Sequence, residues 1–146
     1  MTAPTRATNP PANPTATPDA DPGRPHALNQ TWCDAFNAGD LEALMATYEE
    51  DAVIVPGPGA EPLRGHPAIR VALQQFLALG GTLEYTPSYW LVEDELVLSS
   101  IRFRMTGGHD AEGNLVPLAG TTTEVLRRQP DGTVKYVIDH PFGGSL

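Results

Sequence analysis

The sequence is poor in cysteine and in long apolar runs, and these two absences exclude disulfide-linked and membrane-spanning classes of protein. Its 146 residues include one cysteine, Cys33, so the chain cannot form an internal disulfide. No run approaches the roughly 20 consecutive apolar side chains that a membrane helix needs, and the first residues lack the apolar core of a secretory signal. We therefore expect a cytoplasmic protein without a membrane partner, in which Cys33 is a buried structural side chain.

Basic residues are scarce as well. The chain has 9 Lys and Arg against 18 Asp and Glu, which gives a net charge of −9 at pH 7. Because nucleic acids and anionic lipids are bound by clustered Lys and Arg, this balance argues against both as partners. The sequence also has no glycine-rich nucleotide loop and no pair of histidines at metal-ligand spacing. We therefore predict neither a metal site nor a cofactor.

Proline is concentrated at one end of the chain. Seven of the 15 prolines lie in residues 1–26, between Thr, Ala, Asn and Asp, and this stretch has no apolar periodicity. Such a composition cannot bury enough apolar surface to offset the entropy lost on ordering. We predict a disordered tail over residues 1–26 and one folded domain over residues 27–146.

The predicted domain begins with helical periodicity and ends with strand periodicity. Apolar residues spaced three and four apart predict helices near 26–38, 41–51 and 66–79, with a short strand at 52–56. Gly39 and Asp40 are suited to end the first helix and cap the second. Beyond Gly80 the period changes to two, which predicts strands at about 82–93, 95–106, 116–128 and 133–140. The pattern favours an α+β fold, with three helices on one face of a curved antiparallel sheet.

Two stretches carry a family resemblance. Residues 36–70, FNAGDLEALMATYEEDAVIVPGPGAEPLRGHPAIR, resemble the front half of the NTF2-like superfamily, which includes ketosteroid isomerases and SnoaL-like polyketide cyclases. Residues 121–143, TTTEVLRRQPDGTVKYVIDHPFG, resemble the final hairpin of its SgcJ-like and YybH-like branch. The resemblance implies a cone-shaped fold, in which a bent mixed or antiparallel sheet wraps three N-terminal helices and leaves a pocket at the open end. It also implies a homodimer paired through the convex face of the sheet.

Strand alternation predicts which side chains face the pocket. The charged face of a strand should look outward, so Ile101 and Phe103 point inward from 95–106. The same test turns Tyr85 and Tyr89 inward on the preceding strand and leaves Trp90 on the outer face.

The last two strands carry the candidate acid–base residues. On 116–128 the larger apolar residues share a face with Thr122 and Glu124, so this carboxyl points inward, where burial should raise its pKa. On 133–140 alternation turns His140 inward and Asp139 outward. A bulge of one residue before His140 would exchange the two. An inward Glu and an inward His on neighbouring strands would form an acid–base pair.

Comparison with the enzymes of the superfamily refines these candidates. Ketosteroid isomerases carry a general-base aspartate before the proline that ends the first strand, and the matching residue here is Val55. Trp32 matches the tyrosine that stabilises the oxyanion in those enzymes, and Glu124 matches their second hydrogen-bond donor to the oxyanion. Because Val55 and Trp32 differ in chemical type from the residues they match, the usual steroid isomerisation is not expected. In SnoaL-like cyclases the acid–base groups come from the later strands, which makes Glu124, Asp139 and His140 the comparable catalytic set. The predicted ligand-binding residues are Trp32, Tyr48, Val55, Tyr85, Tyr89, Ile101, Phe103 and Thr122.

Two functions remain open from the sequence. The first is an acid–base isomerase or cyclase acting on a small hydrophobic molecule of secondary metabolism. The second is a non-catalytic module for ligand binding or dimerisation, in which Glu124 forms a salt bridge to a nearby Arg and His140 bonds the backbone.

Overall fold

The computed structural model of the chain describes residues 25–145. The predicted disordered tail therefore lies outside the described residues, except for residues 25 and 26. These two residues begin the first helix, two positions before the predicted start of the domain. Within residues 25–145 no helix is long and apolar enough to cross a membrane.

Three helices are present in the described part of the chain: α1 (Pro25–Ala38), α2 (Leu41–Met45) and α3 (His66–Leu77). Helix α1 buries Leu28, Cys33 and Phe36 on one face, as its periodicity predicts. It ends at Gly39, whose φ of 69° lies in the left-handed region that glycine adopts without strain. The side chain of Asp40 then accepts the N–H of Ala43 at 3.0 Å and caps α2, so both predicted helix boundaries are confirmed.

Helix α2 is shorter than predicted, because the chain turns into a strand at Tyr48. Tyr48, Ala52 and Ile54 are buried, and an irregularity in the pairing between Tyr48 and Val53 leaves Glu50 and Asp51 exposed. This segment pairs in parallel with the last strand, and the N–H of Tyr136 bonds the carbonyl of Thr47 at 2.8 Å. Pairing with a distant strand therefore overrides the helical spacing of the sequence.

The sheet is mixed and curved, and it does not close into a barrel. Its strands are β1 (Tyr48–Ile54), β2 (Leu63–Arg64), β3 (Thr82–Glu93), β4 (Leu96–Thr106), β5 (Leu118–Thr121), β6 (Thr123–Arg128) and β7 (Val134–His140). The order is β2-β1-β7-β6-β4-β3, with β5 also paired to β4. Only β1 and β7 run parallel among these pairs. The inner face packs on the helices, which is the predicted α+β architecture.

The predicted strand 116–128 is broken at Thr122 into β5 and β6. The hydroxyl oxygen of Thr122 accepts the N–H of Ile101 at 3.0 Å, and its carbonyl accepts the hydroxyl of Ser100 at 2.6 Å. These bonds hold both halves against β4, so Glu124 keeps the inward direction that alternation predicted.

Two β-bulges reverse the faces of the strands that contain them. In β3 the pairing passes from Pro87 to Tyr89 and leaves Ser88 as the extra residue. Proline has no N–H for the ladder and occurs at bulges or on edge strands, and β3 is an edge strand. In β7 the pairing passes from Tyr136 to Ile138 and leaves Val137 extra. Each bulge moves the side chains beyond it to the opposite face.

Candidate functional site

A cavity of about 70 Å³ lies between the helices and the inner face of the sheet. This volume is several times the ~10–15 Å³ that one buried water occupies. Its wall is mostly apolar and aromatic, and it includes the polar residues Asn29, Thr122, Glu124, Tyr136 and Asp139. Among the described residues, no Lys, Arg or His lines it.

Glu124 and Asp139 occupy the middle of this wall. They are paired residues on the antiparallel strands β6 and β7, and their side chains are only 2% and 5% exposed. Both face inward because the bulge at Val137 shifts Asp139 to the inner face. The two carboxyl groups therefore lie next to each other in a place that water barely reaches.

Neutral side chains hold Glu124. The amide of Asn29 on α1 donates to its Oε2 at 2.9 Å, and Ser99 and Thr122 add further side-chain hydrogen bonds. The same amide nitrogen donates its second hydrogen to the hydroxyl of Tyr136 at 3.0 Å. These donors are neutral, so they do not supply the predicted alternative, a salt bridge from Glu124 to an Arg.

A directed chain of hydrogen bonds holds Asp139. The indole N–H of Trp32 donates to the hydroxyl oxygen of Tyr48 at 2.9 Å, and this hydroxyl donates to Oδ2 of Asp139 at 2.6 Å. Since the indole can only donate, Tyr48 accepts from Trp32 and its own hydrogen points to Asp139. The bond stabilises the ionised form of Asp139.

The pKa values of both carboxyls are raised. Burial raises the pKa of Glu124, against the opposing effect of its hydrogen bonds from Asn29, Thr122 and Ser99. Burial, followed by the charge of Glu124, raises the pKa of Asp139 to about 7, although the bond from Tyr48 lowers it. Two coupled carboxyls titrate as a pair, and the pair keeps a proton to higher pH than two separate carboxyls would. One group can then donate a proton while the other accepts one.

Most of the predicted site residues meet at this cavity. Its wall contains Glu124 and six further predicted residues, Trp32, Tyr85, Ile101, Phe103, Thr122 and Asp139. The indole N–H of Trp32 is committed to Tyr48, so this residue contributes a ring face to the cavity.

The predicted directions of Asp139 and His140 are reversed. Asp139 faces the cavity, whereas His140 packs beside Thr123 and Gly143 outside the cavity wall. The physical reason is the bulge at Val137, which the sequence allowed as an alternative but did not select. His140 is therefore not part of the acid–base pair.

Three predicted ligand-binding residues lie outside the cavity wall. Tyr48 is fully buried one layer behind it, where its hydroxyl acts on Asp139. Val55 is buried, and its N–H bonds the carbonyl of Asp139 at 2.9 Å. Tyr89 is 44% exposed because the bulge at Ser88 turns it outward, and the same bulge brings Trp90 inward against the core.

Asn29 and Tyr136 are the polar residues that the sequence reading missed. Tyr136 is buried on the inner face of β7 and lines the cavity. Asn29 lies four residues before Cys33 and seven before Phe36, so helical spacing places this polar side chain on the buried face of α1. A buried amide needs partners, which is the signal that could have identified it.

The fold and the site together define the class of protein: a half-open α+β cone with a pair of carboxyl groups in its cavity. Residues 29–137 match the family model of the SnoaL-like domain, and the chain belongs to this family within the NTF2-like superfamily. This is a family of small-molecule-binding and isomerase- or dehydratase-type proteins.

Solved structures support the fold. The chain is similar to a ketosteroid isomerase-like protein from Erwinia carotovora atroseptica SCRI1043, with 24% identity, coverage of 79% of this chain and 89% of that one, and a TM-score of 0.69. A candidate dehydratase of the NTF2-like family from Streptomyces avermitilis shares 21% identity over 85% and 96% of the two chains, with a TM-score of 0.65. An NTF2-like protein of unknown function from Shewanella oneidensis MR-1 shares 18% identity over 77% and 91%, with a TM-score of 0.63.

Proposed function

We propose that the protein catalyses a cofactor-independent acid–base reaction, an isomerisation or cyclisation, on a small hydrophobic molecule. The observation that carries this proposal is the pair of buried carboxyls, Glu124 and Asp139, on the wall of an apolar cavity. The family resemblance to isomerases and cyclases supports the same class of chemistry.

The proposed mechanism uses the proton that the pair shares. The ionised carboxyl removes a proton from a carbon next to a carbonyl, and the protonated carboxyl donates its proton to the carbonyl oxygen to give an enol. Where a carbon–carbon double bond is conjugated with the enol, its far carbon takes a proton from one carboxyl while the enol O–H returns its proton to the other, and the substrate is isomerised. Where the enol carbon attacks a second carbonyl, a ring closes, the enol O–H proton returns to the pair, and the pair protonates the new hydroxyl oxygen. Both carboxyls are needed, because one accepts a proton while the other donates one.

Exchange of carbon-bound hydrogen tests this chemistry without knowledge of the natural substrate. We expect the protein to accelerate deuterium incorporation into cyclopentanone in D₂O near neutral pH, as followed by NMR. Glu124→Gln and Asp139→Asn should each lower this rate by about 10²–10⁴-fold, the range for loss of a general acid or base. The control is Glu95→Gln, which removes an exposed carboxyl from the turn before β4.

Two results would contradict the proposal. One is a wild-type exchange rate equal to that of buffer with cyclopentanone at saturating concentration. The other is a rate that Glu124→Gln and Glu95→Gln lower equally while both variants keep the wild-type melting temperature.

A second candidate, a dimerisation module, is favoured by an apolar row on the outer face of the sheet. Successive strand partners form this outer apolar row: Leu91, Leu98, Val125, Ile138 and Val53. Leu91 and Ile138 are each 41% exposed. A continuous aliphatic row across five strands suits self-pairing of two sheets, so we also propose a homodimer through this convex face. The two candidates are compatible, because the row and the cavity lie on opposite faces.

A further inference from the structure

No Lys, Arg or His among the described residues of the cavity wall faces the carboxyl pair. The pKa of Asp139 is about 7, so the pair becomes more negative as pH rises through this value. Buried charges in proteins are normally paired with an opposite charge, because hydrogen bonds from neutral donors repay only part of the lost hydration. Here the named donors, Asn29 and Tyr48, are neutral. The charge of the pair is therefore left for something else to balance.

The other titratable groups around the pair do not supply that balance. The hydroxyls of Tyr48 and Tyr136 face it from β1 and β7, and burial raises the pKa of each well above 10. Burial likewise raises the pKa of Cys33 on α1 to about 11 and that of Tyr85 on β3 to about 12. All four groups are uncharged at neutral pH. Two histidines lie outside the cavity wall: the ring of His26 packs on Trp90, with centroids 5.6 Å apart, and His140 lies beside Thr123 and Gly143.

The rest of the wall suits a cation. It presents aromatic rings from five helices and strands and from the segment after β7, namely Trp32, Phe76, Tyr85, Phe103, Tyr136 and Phe142. The face of an aromatic ring attracts a cation, and this attraction grows when water is excluded. The net charge of −9 adds a long-range attraction for cations and a repulsion for anions.

We propose that the cavity binds a compact organic cation, an ammonium group on a small hydrocarbon ring or branched chain, with the ammonium at Glu124 and Asp139 and the hydrocarbon against the aromatic wall. This proposal deepens the proposed function and rests on it for the site, but it does not require turnover. It names the substrate class as aminated hydrophobic molecules rather than carboxylates or phosphates.

The proposal has a consequence for pH. A bound cation lowers the proton affinity of the carboxyl pair, so binding should release protons when the pair is partly protonated. Affinity should therefore rise as pH increases from 5.5 to 8. A neutral ligand of the same shape has no such dependence on the charge of the pair, because it gains nothing from ionisation.

Calorimetric titration with matched probes tests the charge preference. The probes are cyclopentylammonium, cyclopentanol and cyclopentanecarboxylate, which share one ring and differ in charge. At pH 8 we expect cyclopentylammonium to bind at least tenfold more tightly than cyclopentanol, with cyclopentanecarboxylate weakest. The preference should shrink at pH 5.5, and the heat measured in buffers of different ionisation enthalpy should reveal proton release.

Double variants test whether the preference for the cation arises from the two carboxyls in the cavity. Glu124→Gln with Asp139→Asn should abolish the preference for the cation, whereas Glu93→Gln with Glu95→Gln, which removes two carboxyls from exposed positions, should keep it. The wild-type pH dependence gives an answer even if the first double variant does not fold. Cyclopentanol binding as tightly as cyclopentylammonium at pH 8, no binding of the cation, or equal loss in both double variants would each overturn the proposal.

The exchange and binding experiments distinguish failure of the catalytic proposal from failure of the cation-binding proposal. If cyclopentanone exchanges deuterium while cyclopentylammonium does not bind, the charge preference is wrong and the acid–base chemistry stands. If cyclopentylammonium binds as expected while no exchange occurs, the cavity is a binding site for cations and the catalytic proposal is wrong.

Discussion

Glu124 and Asp139 are paired across the antiparallel strands β6 and β7, and both carboxyls point into one cavity. Two like charges placed together away from water cannot both ionise at low cost, so the pair retains a proton to higher pH than free carboxyls do. The folded protein therefore binds a proton that the unfolded chain releases. This difference makes the site measurable through stability as well as through activity.

Asp139→Asn should stabilise the protein at pH 8. The pKa of Asp139 is about 7 in the folded protein against 3.8 in an ordinary environment, so the stability it contributes is present at acid pH and is lost as pH rises through about 7. An uncharged amide avoids this loss, and we expect a gain of the order of 1–3 kcal/mol in the free energy of unfolding at pH 8. Urea unfolding between pH 4 and 8 measures it.

Asp131→Asn is the matched control, because the stability that Asp131 contributes changes with pH in the opposite direction. Its side chain is fully exposed, and hydrogen bonds from Thr133 lower the pKa of this carboxyl. Its contribution to stability is therefore present at neutral pH and is lost as pH falls below about 4. A wild-type stability that does not fall between pH 5 and 7, together with no gain in Asp139→Asn at pH 8, would contradict the carboxyl pair.

Tyr48→Phe should raise the pKa of Asp139 further. The hydroxyl of Tyr48 donates to Asp139 and lowers the pKa of this carboxyl, so its removal favours the protonated form. Loss of a buried hydrogen bond to a charged group should cost about 1.5–3 kcal/mol of stability near neutral pH. NMR titration of side-chain carboxyl carbons follows the pKa.

Trp32→Phe is the companion variant. It removes the N–H that orients Tyr48 but leaves the hydroxyl, so the rise in the pKa of Asp139 should be smaller than in Tyr48→Phe. Equal pKa values in the wild type and Tyr48→Phe would show that this hydroxyl does not act on Asp139.

The sequence predicts most of the fold because the local signals and the global fold agree along most of the chain. Gly39 and Asp40 end and begin helices where their residue types indicate, and Arg102 and Arg104 mark the outer face of β4 correctly. Glu124 was placed inward by its apolar neighbours, and it is buried. These predictions needed only the periodicity of one element at a time.

The remaining site residues depend on pairing between strands. A single extra residue at Val137 brings Asp139 to the cavity and turns Ile138 outward. The extra residue Ser88 likewise turns Trp90 inward and Leu91 outward. Nothing in the residues around Val137 marks this bulge, because it is set by the register of β7 against its neighbours. Alternation from one strand therefore assigned the wrong member of the Asp-His pair.

Ile138→Arg should convert a dimer into a monomer. Ile138 lies in the outer apolar row between Val125 and Val53, and a buried unpaired charge there would oppose packing of two sheets. The side chain is 41% exposed in the single chain, so the substitution should change the free energy of unfolding of the monomer by no more than about 0.5 kcal/mol. Sedimentation velocity measures the mass, with Ile138→Val as the conservative control. A monomeric wild type at high protein concentration would contradict the proposed dimer.

Cys33 should be almost unreactive in the folded protein. It lines the cavity, and burial, with a smaller effect from the nearby charge of Asp34, raises the pKa of its thiol to about 11. At pH 8 the reactive thiolate is then on the order of a hundred-fold rarer than in a free cysteine. Because the chain has one cysteine, the mass gained with iodoacetamide reports on this side chain alone, and the same chain in urea is the control. A folded rate within tenfold of the unfolded rate would mean that water reaches the cavity freely, and the raised pKa values of Glu124 and Asp139 would then lose their physical cause.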